Sequence, residues 1–404
     1  MRKTLCLVVV WLTTAVAADE PVAKLVPDLA EPMLIEADGK AIDVGGYAAP
    51  FVSDFDEDGR NDLLVGQFEQ GRLRIYPNVG TNAKPQFSSF DWFRVGSRIA
   101  CVPSGCRVGF TPHMTDFDGD GLWDVLSGSL PGNNYLFRGN KDGSFGEAEL
   151  LESKQGNVHL ATDKRNKNDY NSCVFVHDWN EDGRPDLLLR SYADFYRVAL
   201  NEGTRQEPVF SVASSVKIEE KDLKIVGGGP CVADWDGDGR DDLLVCRWKD
   251  VIWYRNIGMK GHPILLPEKV LVAKEDVKSG GGEPPPGEPA RFHSICVVDF
   301  NADGRLDLLL GDTYRERIEH DEPLELSDEQ IQQQARRAEE RRVLTQEYAE
   351  LRNRPDGETR EERIERHRKA IRAWQAALPQ TNTRNYKQHG RVWLFMRIRP
   401  GDDS

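Results

Sequence analysis

One nine-residue pattern occurs five times in this chain of 404 residues and constrains the fold more than any other feature. Its copies read DFDEDGRND, DFDGDGLWD, DWNEDGRPD, DWDGDGRDD and DFNADGRLD, and they begin at Asp54, Asp116, Asp178, Asp234 and Asp299. Each copy has Asp or Asn at positions one, three and five, Gly at position six and Asp at position nine. This spacing wraps oxygen ligands around a hard cation, and the Gly supplies the sharp turn. The pattern therefore predicts calcium-binding loops.

The predicted ligands are the side chains at positions one, three, five and nine and the carbonyl oxygen at position seven. They are Asp54, Asp56, Asp58, Arg60 and Asp62; Asp116, Asp118, Asp120, Leu122 and Asp124; Asp178, Asn180, Asp182, Arg184 and Asp186; Asp234, Asp236, Asp238, Arg240 and Asp242; and Asp299, Asn301, Asp303, Arg305 and Asp307. About five calcium ions with a structural role are expected.

The EF-hand is the alternative, because its loop opens in the same way. An EF-hand needs a bidentate Glu at position twelve and a helix on each side. Position twelve is instead occupied by Val65, Ser127, Leu189, Val245 and Leu310. A short apolar run such as LLVG follows each loop, which is typical of a buried strand. The pattern thus favours a β protein over an EF-hand.

The loops start 62, 62, 56 and 65 residues apart, and such a period with several strands per unit indicates a repeat array or propeller. One strand leads into each loop and one leads out of it. Third strands are predicted at Arg72–Pro77, Asn134–Arg138, Phe195–Leu200 and Val251–Arg255. Fourth strands are predicted at Lys84–Phe87, Ser144–Phe145, Glu207–Phe210 and His262–Leu265. Each unit therefore corresponds to one four-stranded propeller blade.

The DxDxDGxxDLLVG core, followed by a strand and an NxG turn, resembles the FG-GAP or VCBS-type repeat of bacterial secreted proteins. More distantly it is similar to the propeller of integrin alpha subunits. The resemblance extends from about Glu31 to about Ile398 with one interruption. It implies a calcium-bearing β-propeller outside the cytoplasm, but the family fixes no single function.

The N-terminus predicts export. Arg2 and Lys3 precede an apolar run from Leu5 to Val16 that ends in small residues, as in a secretory signal peptide spanning residues 1–18. A transmembrane anchor is the alternative, but it needs about 20 apolar residues. Nothing later in the chain is apolar enough to span a membrane. We expect a secreted, periplasmic or cell-surface protein.

The fifth repeat is interrupted and lacks its last strand. Its third strand reappears only at Gly390–Ile398, and two capping boxes, Ser327 with Gln330 and Thr359 with Glu362, predict a helical hairpin over residues 321–384. This arm either pairs with another chain, forming an oligomer, or docks on a blade, or is a solvent-facing decoration without a partner. The segment Glu31–Leu34 is expected to complete the last blade. The predicted fold is an all-β propeller of five four-stranded blades, residues 31–320 and 385–400, closed by the N-terminal strand and carrying the hairpin.

Charge and cysteines add less. The formal net charge is −14 and no basic stripe carries interleaved aromatics, so a nucleic-acid partner is not expected. Cys101 and Cys106 bracket a short loop and are candidates for a local disulfide. Cys231 and Cys296 occupy buried strand positions, where either a packed thiol or a bridge fits. The aromatic residue at position two of each loop is expected to pack between blades.

Two function classes remain open. The favoured one is a secreted binding module for a glycan or an extracellular protein. The alternative is a polysaccharide lyase or hydrolase on the same scaffold, with His113, His293, Tyr170 or Tyr192 as a base beside an arginine. No GxSxG, phosphate loop, HExxH or nucleotide fingerprint is present, so the catalytic residues of any such enzyme stay unknown.

The ligand face is predicted opposite the calcium loops, where the long connections between strands fall. Two neighbouring repeats place an arginine beside an aromatic residue there, which suits a carboxylated or sulfated sugar. The predicted set is Arg190, Tyr192, Arg247, Trp248, Arg291 and His293. The alternative is that Arg190 and Arg247 pair with surface carboxylates such as Asp194 or Asp250.

Overall fold

The computed structural model describes residues 29–102, 109–129, 133–153, 156–157, 173–190, 196–219, 221–224, 227–247, 250–273, 284, 287–317 and 386–398, with isolated residues between 328 and 362. The sheets are antiparallel and form five blades of a β-propeller, which confirms the predicted fold class and blade number. In that part of the chain, no helix is long and apolar enough to cross a membrane.

The strands follow one another blade by blade. The first three are β1 (Met33–Leu34), β2 (Glu36–Ala37) and β3 (Lys40–Ala41). Blade one contains β4 (Ala49–Ser53), β5 (Asp62–Gly66), β6 (Leu73–Tyr76) and β7 (Asp91–Trp92), with a short 3-10 helix at Glu69–Gly71. A hairpin of β8 (Arg94–Val95) and β9 (Arg98–Ile99) leads into blade two, which contains β10 (Pro112–Thr115), β11 (Asp124–Gly128), β12 (Asn134–Phe137) and β13 (Glu149–Leu150).

The next blades repeat this order. After β14 (Glu152–Ser153) and β15 (Gly156–Asn157), blade three contains β16 (Cys173–His177), β17 (Asp186–Arg190), β18 (Tyr196–Ala199) and β19 (Ser214–Ser215). After β20 (Lys217–Ile218) and β21 (Lys221–Asp222), blade four contains β22 (Gly227–Ala233), β23 (Asp242–Arg247), β24 (Asp250–Tyr254) and β25 (Lys269–Ala273). Blade five contains β26 (Arg291–Val298), β27 (Asp307–Arg317), β28 (Tyr386–His389) and β29 (Val392–Phe395).

The second strand of each blade is the apolar run that follows a loop. Leu63, Leu64 and Val65 of β5 are fully buried, because β4 and β6 flank the strand and neighbouring blades cover its two faces. Burying each such side chain contributes about 1.5–3 kcal/mol before entropy is counted. Continuous apolar sequence, rather than alternation, is what a strand buried on both faces requires.

The N-terminal strand closes the ring, as predicted. Strand β1 pairs antiparallel with β29 through Met33 with Leu394 and Leu34 with Trp393, so the last sheet has the order β1, β29, β27, β26. Pairing the two ends of the chain removes an exposed sheet edge. The beginning and the end of the propeller therefore share one blade.

The outer strands differ from the prediction. The segments predicted as fourth strands instead close the turn after the third strand, through single bridges between Asn78 and Phe87, Gly139 and Phe145, Asn201 and Phe210, and Asn256 and Leu265. The outer strands β7, β13, β19 and β25 begin several residues later. The turn is held from within, since Asn78 Oδ1 accepts hydrogen bonds from the amides of Gly80 and Gln86 at 2.9 and 3.1 Å.

Two predicted segments lie outside the described residues. They are the signal peptide at 1–18 and nearly all of the helical hairpin at 321–384. The isolated residues described within the insertion, Asp328 and Glu329 among them, are helical, and the hairpin as a whole stays a prediction. Strand β27 does continue beyond Gly311 and pairs with β28, Tyr314 opposite His389, so the flanks of the insertion form a two-stranded extension of blade five.

Candidate metal centres

The nine-residue loops join the first and second strands of the blades, and their own backbone amides fix the carboxylates. In every loop the carboxylate at position one accepts a hydrogen bond from the amide of the Gly at position six, which has φ between 84° and 88°. The carboxylate at position five accepts one from the amide at position seven. Each bond engages one carboxylate oxygen and sets the orientation of the side chain.

Three loops gather carboxylates closely enough to hold a metal ion. The groups are Asp54, Asp56 and Asp58; Asp116, Asp118 and Asp120; and Asp234, Asp236 and Asp242, each with one oxygen per residue within 4.8 Å of the others. Asp54 Oδ1 is buried and has no hydrogen-bond partner, so a cation fits there. Oxygen-only donors suit calcium rather than a soft transition metal.

The third and fifth loops differ at position three, where Asn replaces Asp. Asn180 Nδ2 donates to Asp182 Oδ2 at 2.9 Å, and Asn301 Nδ2 donates to Asp303 Oδ2 at 3.1 Å. In these two loops, the side chain at position three donates a hydrogen bond within the loop, whereas the other loops have a carboxylate there. These two loops have one negative charge fewer for a cation.

The aspartate at position nine also has a structural role that sequence reasoning missed. Its Oδ2 accepts a hydrogen bond from the amide at position two, and its Oδ1 accepts one from the amide of the second residue after the third strand. In blade one these donors are Phe55 at 3.1 Å and Asn78 at 2.8 Å. The same pair of bonds occurs in the other four blades. The side chain thus joins the loop to the next turn, in addition to any metal it binds.

Burial makes negative charge on these loops costly. Desolvation raises the pKa of Asp124 and of Asp242 to about 6, and the nearby carboxylates Asp118 and Asp236 add to the effect, although backbone amides oppose it. A bound cation would offset this cost. The electrostatics therefore fit a metal ion in the loops.

Arginine side chains supply positive charge at the same loops. Arg60, Arg184, Arg240 and Arg305, all at position seven, pair with the aspartate two positions earlier. In blade four, Arg255, the residue after β24, adds a second cation, with Nε 2.5 Å from Asp236 Oδ2 and Nη2 3.0 Å from Asp238 Oδ2. Position seven was predicted from the sequence to act only through its carbonyl oxygen. That prediction missed the ion pair that the arginine side chain at this position forms.

The predicted ligand face is only partly assembled. Arg190 and His293 are 4% and 2% exposed, which corrects the expectation of surface side chains. Arg190 lies between Cys173 and Tyr196 in the sheet register, with Nη1 4.0 Å from Cys173 Sγ. Strand β17 is covered on both sides, and its last residue is covered with it.

The other members of that set vary. Arg247 pairs with Asp250 at 3.0 Å and with Glu268 at 3.3 Å, as the alternative interpretation expected for Asp250. Arg291 is half-buried on β26. Tyr192, Trp248 and Asp194 lie outside the described residues, as do Tyr170 and Cys106.

A cavity of about 190 Å³ lies among the five inner strands. The His113 ring lines this cavity, with its centroid 5.0 Å from Phe51 and 4.6 Å from Phe175. Desolvation, with a smaller contribution from His177, lowers the pKa of His113 to about 3, so its imidazole is neutral at physiological pH. Cys231 and Cys296 are buried thiols near this axis, with their pKa values raised by burial.

Comparison with known proteins agrees with this architecture. The profile of the FG-GAP-like repeat matches residues 116–189, 178–245 and 234–310. Integrin alpha-4 from Xenopus laevis is 33% identical over 130 residues, an alignment that covers 28% of this chain and 11% of that protein. The chain thus corresponds to a small part of the length of that relative.

Solved structures show weaker likenesses. A lectin from Agrocybe aegerita that recognises non-reducing terminal N-acetylglucosamine is 18% identical, with 72% of this chain and 69% of that chain covered at a TM-score of 0.35. The GH43_1 enzyme from Xanthomonas citri, complexed with xylose, is 13% identical, with 72% and 86% covered at 0.39. A rhamnogalacturonan lyase from Bacillus licheniformis is 13% identical, with 70% and 49% covered at 0.31. Likenesses this weak carry no functional argument. The repeat matches show that the chain contains FG-GAP-like repeats over residues 116–310.

Proposed function

We propose that this protein is an exported, calcium-stabilised β-propeller that acts as a binding module for a glycan or a protein partner. The observation that carries the proposal is the position of the two described candidate bases. His113 and His293 are 7% and 2% exposed, and the axial cavity next to His113 measures about 190 Å³. Burial shields both rings from a polymer, whereas the described calcium loops carry exposed residues.

Calcium is proposed in all five loops, with the predicted ligands at positions one, three, five, seven and nine. The repeated hydrogen bonds at positions one and five support equivalent loop geometry in all blades. The ion would neutralise clustered carboxylates and hold the first strand to the second. Its role is therefore structural, and it stabilises the scaffold that presents the binding loops.

The domain boundaries follow from the same interpretation. Residues 1–18 are proposed as a signal peptide, 31–320 and 385–400 as the propeller and 321–384 as an inserted helical hairpin. Integrin-like repeats are typically extracellular, which supports export. Pairing between chains through the hairpin is proposed only as an oligomerisation route to be tested by deleting the insertion.

The described residues give less support to an anionic glycan bound on the face opposite the calcium loops than to a partner bound elsewhere on the propeller. Of the predicted set, Arg247 and Arg291 are described and partly exposed, and Arg247 already has Asp250 and Glu268 as partners. A carboxylated or sulfated sugar would have to displace those carboxylates. The net charge of −14 also opposes the approach of anions.

The proposal is tested with the purified mature chain in calcium. Neutral and anionic polysaccharides and extracellular-matrix proteins are screened for binding by biolayer interferometry, and the glycans are followed in parallel for unsaturated or hydrolysed products. Binding without product formation, lost when a chelator is added, is the expected result. Turnover of any polysaccharide would instead establish the lyase or hydrolase alternative, and an absence of binding to every probe would contradict the proposal.

A further inference from the structure

The turn after the third strand of each blade lies over the calcium loop of the preceding blade. We call the contact between such a turn and the loop beneath it a seam. In two seams an arginine of the turn makes this contact. Arg205 of blade three donates through Nη2 to the carbonyl oxygen of Asp116 at 2.9 Å, and that nitrogen lies 3.5 Å from Asp116 Oδ2. Arg397 of blade five donates through Nη1 to the carbonyl oxygen of Trp235 at 2.5 Å, with its guanidinium carbon 4.4 Å from the centre of the indole.

The seam between blades one and two is open instead. A cavity of about 250 Å³ lies there, which we term the seam cleft; it is lined by Phe55, Asp56, Glu57, Trp123, Asn140 and Phe145, among others. The rings of Phe55 and Phe145, which both line it, stack with centroids 5.6 Å apart and planes 21° apart. Trp123 is 39% exposed, one of the few large apolar side chains so exposed in the described ranges.

A shorter turn explains the opening. The bridge that closes the turn joins Gly139 to Phe145 in blade two, six positions apart, whereas Asn201 and Phe210 in blade three are nine positions apart. The nine-residue spacing also occurs in blades one and four, at Asn78 with Phe87 and Asn256 with Leu265. Blade two therefore lacks the stretch from which Arg205 reaches across in blade three. The basic residue of its turn, Lys141, is exposed.

The residues that line the seam cleft also differ from those at the seams where Arg205 and Arg397 lie. Position four of the loop has positive φ in every blade, and in blade two it is Gly119, where a Cβ would lie 2.9 Å from Arg205 Cδ. Blade one has Glu57 at this position, which adds a carboxylate outside the predicted calcium ligands. Position eight is Trp123, one residue after position seven, and it adds an indole face.

We propose that the seam cleft binds the guanidinium group of an arginine on a partner protein. This inference rests on the proposed binding function and names its site and partner class. A carboxylate accepts the planar fork of arginine through two parallel hydrogen bonds, and a guanidinium stacks on an indole. The chain itself places guanidiniums at two equivalent seams, one of them on Trp235. An arginine of a partner would take the same place at the seam between blades one and two. The net charge of −14 also favours cationic partners.

The test uses the mature chain in calcium and the peptide acetyl-Gly-Arg-Gly-amide, with matched lysine and citrulline peptides. Binding is followed by tryptophan fluorescence and by isothermal titration calorimetry. We expect the arginine peptide to bind, the lysine peptide to bind more weakly and the citrulline peptide not to bind. Glu57→Gln and Trp123→Leu are each expected to weaken arginine binding by about fivefold or more.

Glu181→Gln is the matched control, because Glu181 occupies position four of blade three, where Lys260 Nζ of the neighbouring turn already lies 4.0 Å from its carboxylate. This variant should bind the arginine peptide like the wild type. Thermal unfolding in calcium identifies any variant that is merely unfolded. Equal binding of arginine and citrulline peptides, no binding of arginine, or binding unaffected by both cleft variants overturns the inference. Binding of the glycan or protein panel would then still support the proposed function.

Discussion

Asp307 Oδ1 accepts a hydrogen bond from the main-chain amide of Arg397 at 2.8 Å, although the two residues are 90 positions apart. The equivalent bond in blade four joins Asp242 to Asn256, which are 14 positions apart. The same hydrogen bond is therefore formed by residues close in sequence in blade four and by residues on opposite sides of the insertion in blade five. A chain interrupted by dozens of residues still returns to the position that the repeat requires.

Replacing this carboxylate should destabilise the propeller. In Asp307→Asn one oxygen becomes an amide nitrogen, which cannot accept from Phe300 or Arg397, so a buried donor is left facing another donor. We expect the free energy of unfolding to fall by about 1–3 kcal/mol. Chemical denaturation in saturating calcium measures the change. Asp91→Asn, at an exposed position of β7, is the control and should change stability by no more than about 0.5 kcal/mol. Equal stability of both variants would contradict this role.

Sequence reasoning predicted the blades because their signals are local. The Asp and Gly spacing, the apolar run after each loop and the third strand all lie within one short stretch, and pairing of Glu31–Leu34 with the last blade followed from one missing strand. The outer strands were misplaced because Phe87 and its equivalents are apolar residues in a turn, and apolarity alone does not distinguish the two. The burial of Arg190 could not be predicted, since it depends on neighbouring blades that local sequence does not reveal.

The five loops are predicted to differ in calcium affinity. Loops one, two and four have four carboxylates at the ligand positions, whereas Asn180 and Asn301 leave loops three and five with three. Because calcium affinity depends on ligand charge, calorimetric titration of the calcium-free protein should resolve a tighter class of sites and a weaker one. Asn301→Asp should move one site from the weaker class to the tighter. Asn140→Asp, in a turn outside the ligand set, should leave both classes unchanged. A single class of sites in the wild type would count against the loop assignment.

Arg255 is predicted to substitute in part for the metal ion in blade four. Its guanidinium contacts Asp236 and Asp238, so Arg255→Met should lower the melting temperature in chelator, where the carboxylates lose a cation. In calcium the same variant should bind the ion more tightly, because a neighbouring positive charge has been removed. The calcium-induced rise in melting temperature should therefore be larger than in the wild type.

Leu200 provides the matched position for that experiment, since it follows β18 as Arg255 follows β24. Leu200→Met should leave the calcium-induced rise in melting temperature unchanged. A smaller rise in Arg255→Met than in the wild type would show that the arginine supports calcium binding rather than replacing the ion.

His113 is predicted to make the propeller sensitive to acid. Its folded-state pKa of about 3 lies below the ordinary value of 6.5, because the ring is desolvated between Phe51 and Phe175 and His177 is nearby. Above pH 6.5 the ring is neutral in both states and contributes no pH dependence. As the pH falls from 6.5 towards 3, only the unfolded chain takes up the proton, so stability falls by roughly 1.4 kcal/mol per pH unit. His113→Phe should remove this slope, and denaturation of both proteins between pH 7 and 5 in calcium measures it. The exposed His262→Phe should retain the wild-type slope. Parallel pH profiles for the wild type and His113→Phe would mean that the imidazole is solvated and titrates normally at the propeller axis.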